Sequence, residues 1–151
     1  MISTLFYRWI MNPFVTILLK SPLHRLVSGT MMLITFTGRK SGKRYTTPVG
    51  YLRDGDVVIC LTHANWWKNL RGGARVTLRI QGRTVEGRAE AIAQDKARVA
   101  QGIRKFLLQV PSWAGFYNVT LAEDGTPNEE EVVRAAEAAI LISITLDGDQ
   151  T

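Results

Sequence analysis

The sequence predicts a protein of the α+β class: a small barrel of antiparallel strands, with amphipathic helices before it and two further helices later in the chain. Runs rich in β-branched and aromatic residues recur at short intervals and are bounded by glycine-containing turns. Two later stretches carry the apolar spacing of helices. Short strands joined by tight turns pair antiparallel, and a chain of 151 residues suits one core.

The first 30 residues predict two or three short amphipathic helices. Basic residues interrupt their apolar ones, and Pro13 and Pro22 stand where each suits a first helical turn. The uncharged apolar stretch from Trp9 to Leu19 is much shorter than the ~20 residues that cross a bilayer. We expect segment 1–30 to pack on the barrel or to lie at a membrane surface.

The strands are expected to follow this segment at once. Residues 31–37 predict a strand, and residues 45–53 are extended beyond a basic loop at 38–44, which makes a hairpin. The Asp-Gly turn at 54–55 leads into residues 57–62, a continuous apolar run typical of a strand buried on both faces.

The rest of the chain adds helices and closes the sheet. Asp95 is the predicted helix cap and Pro111 the predicted stop, because they flank a stretch of helical periodicity. The remaining elements are predicted as a short helical segment at 65–70, strands at 75–81 and 85–92, helices at 95–110 and 129–139, and a last strand at 140–146.

Cysteine and histidine counts limit the chemistry. Cys60 is the only cysteine, and His24 and His63 are the only histidines. An internal disulfide is excluded, and a usual zinc or iron site needs more ligands than these. We expect no metal and a reducing, cytoplasmic setting, at the inner face of the membrane if the first segment binds lipid.

Positive charge is concentrated at the front of the chain. The first 53 residues contain eight Lys or Arg and no acid, whereas residues 106–151 contain one base and eight acids. Such a front half favours an anionic partner: a phosphorylated cofactor, nucleic acid or an acidic membrane surface.

The loop from Gly38 to Arg44 holds two glycines, a serine and four cations in seven positions. Consecutive backbone N–H groups in such a turn form a concave anion site, and Arg and Lys add charge-assisted bonds to phosphate oxygens. The loop therefore predicts a phosphate site, and a hairpin tip kept soluble by its charge is the alternative.

Further motifs follow the loop in a fixed order. The run TFTGRKSG at 35–42 is followed by Arg44, by TTP at 46–48, by RDG at 53–55 and by WWKNLR at 66–71. Together these motifs resemble the deazaflavin-dependent nitroreductase and quinone reductase family, whose members are related to the pyridoxamine-phosphate-oxidase-like split barrels. The ordered set, within residues 10–92, is much more specific than any one motif.

This resemblance implies a split β-barrel over residues 31–151 that binds the deazaflavin coenzyme F(420), with its ring in an open groove. The residues it implies for the phosphate and the acidic tail are Gly38, Arg39, Lys40, Ser41, Gly42 and Arg44. Those it implies along the ribityl chain and around the ring are Thr46, Thr47, Pro48, Thr62, His63, Trp66 and Asn69.

The resemblance also implies an activity, the transfer of hydride from the reduced coenzyme to a planar electron-poor acceptor such as a quinone, nitroaromatic or enone. Thr62 or His63 would donate a hydrogen bond to the acceptor oxygen as negative charge develops there. Family members often carry a longer, Gly-Gly-containing loop before the tryptophan motif, whereas only three residues separate Thr62 from Trp66 here. FMN therefore remains the alternative cofactor.

Other interpretations compete with this one. A pI near 9.8 and the series Arg75, Arg79, Arg83 and Arg88 also fit a nucleic-acid-binding barrel, although these arginines equally fit a solvated strand face. A carrier or sensor that binds the cofactor without turnover is a third class. We expect a small-molecule acceptor, no nucleic acid, and a monomer or homodimer.

Several aromatic residues have a structural interpretation beside the functional one. Trp66 and Trp67 are expected to anchor the short helical segment in the core, and one of them can also serve the site. Phe116 and Tyr117 match no motif, so core packing is favoured over a place in an acceptor pocket. Cys60, within an apolar strand, is expected to be a small core residue.

Overall fold

The computed structural model describes residues 31–148. The predicted helices of segment 1–30, and their contact with the barrel or a membrane, lie outside the described residues. Within residues 31–148 no helix has the length and apolar character needed to cross a bilayer. The same part of the chain holds no group of three or more His, Cys, Asp or Glu side chains placed to bind a metal.

Six antiparallel strands form a closed barrel in the order β1-β2-β3-β6-β5-β4. The strands are β1 (Met31–Thr37), β2 (Arg44–Asp54), β3 (Val57–Thr62), β4 (Ala74–Ile80), β5 (Arg83–Ile92) and β6 (Ile140–Leu146). Each lies within two residues of its predicted position, and the α+β split-barrel class is confirmed.

Two α-helices and two 3-10 helices complete the described fold: the first 3-10 helix (Asn65–Leu70), α1 (Lys96–Gln109), the second 3-10 helix (Pro111–Trp113) and α2 (Glu129–Ala138). Asp95 caps α1 by accepting a hydrogen bond from the Arg98 N–H at 3.2 Å, as predicted. Asn128 caps α2 in the same way, at 3.0 Å from the Glu131 N–H.

The interior divides into two apolar clusters on the two sides of β3. Val58 and Cys60 point into the barrel, whereas Ile59 and Leu61 point outward and contact the layer formed by α1 and α2. This arrangement explains why the sequence of β3 is apolar without alternation, and it confirms burial on both faces.

The strand β2 is longer than its partner on one side. It pairs with β1 from Arg44 to Gly50, but it pairs with β3 only from Tyr51 to Asp54. Seven residues of β2 therefore have no ladder partner toward β3, and this edge is where the barrel is split. Pro48 lies on this edge, where its missing N–H costs no ladder hydrogen bond on that side.

The outer face of β4 and β5 carries both signs of charge. Arg75 forms an ion pair with Asp147 and lies 3.9 Å from Glu86. Arg79 donates a hydrogen bond to the Thr84 hydroxyl at 3.1 Å. The arginine series is thus interleaved with acids, which is the pattern of a solvated face.

Candidate functional site

A cavity of about 710 Å³ opens at the split edge of the barrel. It lies between the unpaired part of β2, the end of β3, the first 3-10 helix and the segment that follows α1. Its lining residues are Met31, Thr47, Pro48, Val49, Gly50, Leu61, Thr62, His63, Ala64, Asn65, Trp66, Asn69, Ser112, Trp113, Phe116 and Tyr117. The volume falls in the usual range for cofactor and drug-sized ligands.

Thr62, the last residue of β3, is a buried polar residue in the cavity wall. It is 7% exposed, and its Oγ1 accepts a hydrogen bond from the Ala64 N–H at 3.0 Å. Within residues 31–148, no acceptor is found for the proton of this hydroxyl. The Thr62 hydroxyl can therefore donate to a ligand while the Ala64 N–H fixes its oxygen.

An aromatic wall faces Thr62 from the segment after α1. The His63 ring lies 5.9 Å from the Phe116 ring and 6.0 Å from the Tyr117 ring, centroid to centroid. Burial raises the pKa of the Tyr117 phenol above its ordinary value. Phe116 is 67% exposed, and the predicted core packing is wrong for this residue because its ring stands at the cavity rim.

Trp66 serves the core and the cavity together. Its ring stacks on Phe36 at 5.3 Å with an interplanar angle of 20°, and Phe36 stacks in turn on Tyr45 at 6.0 Å. This row of rings runs from the cavity toward the basic loop. Trp67, the neighbouring tryptophan, is half-buried and lies under the Arg71 guanidinium at 4.8 Å.

Asn69 joins the cavity to the basic loop. Its Oδ1 accepts a hydrogen bond from the Arg39 N–H at 3.0 Å, and its Nδ2 donates to the Trp66 carbonyl at 2.9 Å. The side chain therefore spans two elements that are 30 residues apart in the sequence. One amide fixes the position of the loop relative to the cavity.

The basic loop is closed by its own backbone. The Gly38 N–H donates to the Lys43 carbonyl at 2.7 Å, and the Gly42 N–H donates to the Gly38 carbonyl at 2.9 Å. The Ser41 hydroxyl accepts from the Lys43 N–H at 3.2 Å. Of the predicted concave anion site, only the N–H groups of Lys40 and Ser41 lack an acceptor within residues 31–148.

The cations of this loop are close together in the sequence, and like most other Lys and Arg side chains of residues 31–148 they have no carboxylate partner. None of Arg39, Lys40, Lys43 and Arg44 forms an ion pair within the described chain, and Arg44 makes only a long contact, 3.5 Å, to the Thr77 hydroxyl. Elsewhere Arg75, Arg104 and Lys105 each have a carboxylate partner. The loop therefore presents positive charge that the described fold leaves uncompensated.

The unpaired edge of β2 connects the loop to the far end of the cavity. From Arg44 to Gly50 the strand advances six residues, about 20 Å at ~3.3 Å per residue. Thr47 and Pro48 line the cavity in the middle of this stretch. The site is thus an elongated groove, charged at one end and apolar at the other.

The structure brings together most of the predicted site residues. Those that line the cavity are Thr47, Pro48, Thr62, His63, Trp66 and Asn69, whereas the loop residues Gly38, Arg39, Lys40, Ser41, Gly42 and Arg44 adjoin it beyond Asn69. Thr46 does not line it, because its hydroxyl pairs with that of Thr35 at 2.8 Å. Sequence reasoning missed Trp113, which no motif singled out.

Comparison with known proteins identifies the family. The model of the F420H(2)-dependent quinone reductase family matches residues 20–119 of the chain, about two thirds of its length. The chain belongs to this family of reductases, which confirms the predicted relationship. The cofactor predicted from the sequence, coenzyme F(420), is the one in the family's description. No protein of curated function matches the sequence.

Solved structures share the fold at low sequence identity. An F420-H2 dependent reductase, FDR-A, is 14% identical with a TM-score of 0.50, over 76% of this chain and 93% of that one. A pyridoxamine 5'-phosphate oxidase-related, FMN-binding protein from Nostoc punctiforme is 12% identical with a TM-score of 0.51, over 89% and 78%. HutZ, a haem storage protein from Vibrio cholerae, is 10% identical with a TM-score of 0.53, over 85% and 90%.

Proposed function

We propose that this protein binds coenzyme F(420) in the groove along β2 and reduces planar electron-poor acceptors, quinones first, then nitroaromatics and enones. One observation carries the proposal: a loop of uncompensated cations is joined through Asn69 to an apolar cavity of about 710 Å³. A ligand that fits both ends has an anionic tail and a flat ring system. The family's coenzyme has that form.

The loop would hold the phosphate and acidic tail. Arg39, Lys40 and Arg44 would provide charge-assisted hydrogen bonds, and the free N–H groups of Lys40 and Ser41 would add two backbone donors. Gly42, at φ +70°, allows the turn that presents these groups. The stretch of about 20 Å from this loop to Gly50 leaves room for a ribityl chain and ring along Thr47 and Pro48.

When bound, the reduced coenzyme supplies the hydride. The chain's own residues then need only position the coenzyme and the acceptor, exclude water from the cavity and polarise the acceptor. The side chains of Trp66, Leu61 and Tyr117 line the cavity and keep this part of its wall apolar. Thr62 would donate its free hydroxyl proton to the acceptor oxygen as charge develops there. His63 is the second candidate donor, because its ring lines the same wall.

FMN is the alternative cofactor, and a binding protein without turnover is the alternative function. The loop alone does not separate the two cofactors, since both carry phosphate. The connection from Thr62 to Trp66 is short and would form the wall beside the ring. FMN is therefore retained as the alternative cofactor. An acceptor dissolved in a membrane would require segment 1–30 to bind lipid, which flotation of the full chain and of residues 31–151 with liposomes would test.

Reconstitution tests the proposal. The purified apo chain is titrated with coenzyme F(420), FMN and haem, and the reduced complex is then mixed with menadione. We expect the tightest binding for F(420) and oxidation of its reduced form by the quinone. Binding of FMN in preference to F(420), or binding without quinone-dependent oxidation, would replace the proposal by its alternatives.

A triple substitution tests the binding mode. Replacing Arg39, Lys40 and Arg44 by Gln should raise the coenzyme dissociation constant about a hundredfold, because three charge-assisted contacts are lost. The matched control replaces the ion-paired Arg75, Arg104 and Lys105 by Gln, which removes the same three charges from the net charge of +6. Equal weakening in both variants would show that the loop is not the phosphate site.

A further inference from the structure

Gly50 and Trp113 make an unusually close contact at the apolar end of the groove. A methyl group at residue 50 would stand 2.1 Å from Cη2 of Trp113, and 2.7 and 2.8 Å from two further atoms of the ring. The indole therefore occupies the space that any side chain at residue 50 would need. Only glycine at this position lets the ring lie against β2.

Trp113 is held from its other side as well. Its ring lies 5.6 Å from the Phe106 ring of α1 and 6.2 Å from the Phe116 ring, centroid to centroid. The backbone of the second 3-10 helix fixes the position of this residue, since the Trp113 N–H donates a hydrogen bond to the Val110 carbonyl at 3.1 Å. The indole is thus clamped between α1 and β2.

This clamp lies at the end of the groove opposite the basic loop. Gly50 is the last residue of β2 before the pairing with β3 begins, about 20 Å along the strand from Arg44. Both Gly50 and Trp113 line the cavity. A ligand anchored by its phosphate at the loop therefore leaves an acceptor space that ends at the indole.

We propose that the Gly50–Trp113 contact limits the length of the acceptor site and selects acceptors of one or two fused rings over longer ones. The inference rests on the proposed function, because it takes the far end of the groove as the acceptor site. The nearby walls, Leu61, Phe116 and Tyr117, are apolar or aromatic and suit a flat ring. No charged group within the described chain lines this end.

Four forms of the full chain test it: wild type, Gly50→Ala, Trp113→Ala and the double variant. Dissociation constants for the uncharged quinones 1,4-benzoquinone and 9,10-anthraquinone are measured with oxidised coenzyme F(420) bound and again without coenzyme, so that neither series depends on turnover. Trp113→Ala should improve binding of the three-ring quinone relative to the one-ring quinone about tenfold, because the end of the groove opens. Gly50→Ala should weaken the three-ring quinone most, because the displaced indole enters the cavity.

The double variant gives the most specific test of the Gly50–Trp113 contact. With the indole gone, a methyl group at residue 50 has room, so Gly50→Ala should be harmless in the Trp113→Ala background although it is harmful alone. Gly115→Ala is the matched control, since a methyl group there meets nothing within 4 Å in the same segment. Circular dichroism checks the fold, and Trp113→Phe replaces Trp113→Ala if the latter unfolds.

The outcomes distinguish a failure of the length limit from a failure of the proposed function. If the coenzyme binds and quinones are reduced, but Gly50→Ala behaves like Gly115→Ala and Trp113→Ala leaves the ratio of the two quinones unchanged, the length limit is wrong and the proposed function stands. If the ratio shifts as expected but coenzyme F(420) does not bind, the proposed function fails and the cavity still selects ring systems by length. Additive effects in the double variant would also overturn the Gly50–Trp113 inference.

Discussion

The Thr62 hydroxyl combines burial with a proton for which residues 31–148 offer no acceptor. Its oxygen already accepts from the Ala64 N–H at 3.0 Å, so the position of the oxygen is fixed while its proton is left to donate. A donor oriented before the acceptor arrives needs no rearrangement as negative charge develops on the acceptor oxygen. This preorganisation distinguishes Thr62 from the exposed His63.

Replacing Thr62 by Val should lower kcat for quinone reduction about tenfold or more, because one preorganised donor is lost at a buried site. Thr62→Ser keeps the hydroxyl and should retain most of the rate. The measurement is steady-state turnover at saturating reduced coenzyme, with the coenzyme dissociation constant determined beside it. The control is Thr145→Val, which changes an exposed threonine on β6. An equal rate in the Thr62 and Thr145 variants would show that Thr62 does not assist the reaction.

Cys60 is a core residue, as predicted, and burial raises its pKa from an ordinary value of 9.0 to about 12. The unfolded chain therefore releases the thiol proton before the folded chain does. Stability from this group is complete below pH 9 and is lost as the pH rises from 9 to 12. The slope is about 1.4 kcal/mol per pH unit within that window.

Urea unfolding at pH 8.0 and pH 10.5 should therefore show a lower free energy of unfolding at the higher pH. Cys60→Ala should reduce that loss by about 2 kcal/mol, because the variant has no thiol to ionise. Burial also raises the pKa values of the Tyr51 and Tyr117 phenols, so some alkaline loss remains in the variant. A pH dependence identical to that of the wild type would show that Cys60 is accessible to solvent in the folded state.

At the scale of elements, the first 3-10 helix positions the basic loop through a single side chain. Asn69→Ala removes both the Arg39 N–H contact and the bond to the Trp66 carbonyl. The loop then loses its fixed distance from the cavity, and we expect the coenzyme dissociation constant to rise about tenfold, the cost of about 1.4 kcal/mol. Titration with coenzyme F(420) measures this change.

Asn128→Ala is the control for this prediction, because Asn128 also accepts a hydrogen bond from a backbone N–H but does not line the cavity. Asn128 caps α2, and its loss should cost about 1 kcal/mol of stability without touching the groove. Urea unfolding and coenzyme titration together separate the two effects. A dissociation constant that follows stability in both variants would mean that Asn69 acts only on the fold.

The elements themselves follow from local sequence, whereas the pairing of distant strands that closes the barrel does not. Alternation in Val76, Leu78 and Ile80 and the apolar run of β3 are local signals, and both strands form where those signals place them. The pairings of β1 with β4 and of β3 with β6 join distant segments, and no pattern within one strand names its partner. Short antiparallel strands joined by tight turns predicted a small barrel, and the family resemblance implied a split one, but neither identified which distant strands pair.

The site divides in the same way. The basic loop and the residues near Asn69 carry motifs, so the polar end of the groove could be predicted from the sequence. The apolar end depends on the second 3-10 helix, which follows α1 and brings Trp113 onto Gly50 of β2. That contact joins residues 63 positions apart and leaves no periodic signal, since a single glycine and a single tryptophan are common in any strand or turn.

At the scale of the whole molecule, positive and negative charge are concentrated in different elements. The cations of the basic loop have no carboxylate partner within the described residues, while acids gather around α2, where Glu129, Glu130 and Glu131 favour the positive end of the helix. An anionic ligand approaching the loop meets uncompensated positive charge. Attraction of this kind is screened by salt, which makes it measurable separately from apolar contacts.

Raising the ionic strength from about 0.05 to about 0.5 M should weaken coenzyme binding by about tenfold or more in the wild type, because the Debye length shrinks well below the distances between exposed charges. The Gln variant of Arg39, Lys40 and Arg44 should show little dependence on salt. The Gln variant of Arg75, Arg104 and Lys105 has the same net charge and should keep the wild-type dependence, since its lost cations were already paired with carboxylates. Isothermal titration at four salt concentrations gives the slopes. Parallel slopes for the two variants would mean that net charge attracts the coenzyme, and that the loop does not bind its phosphate.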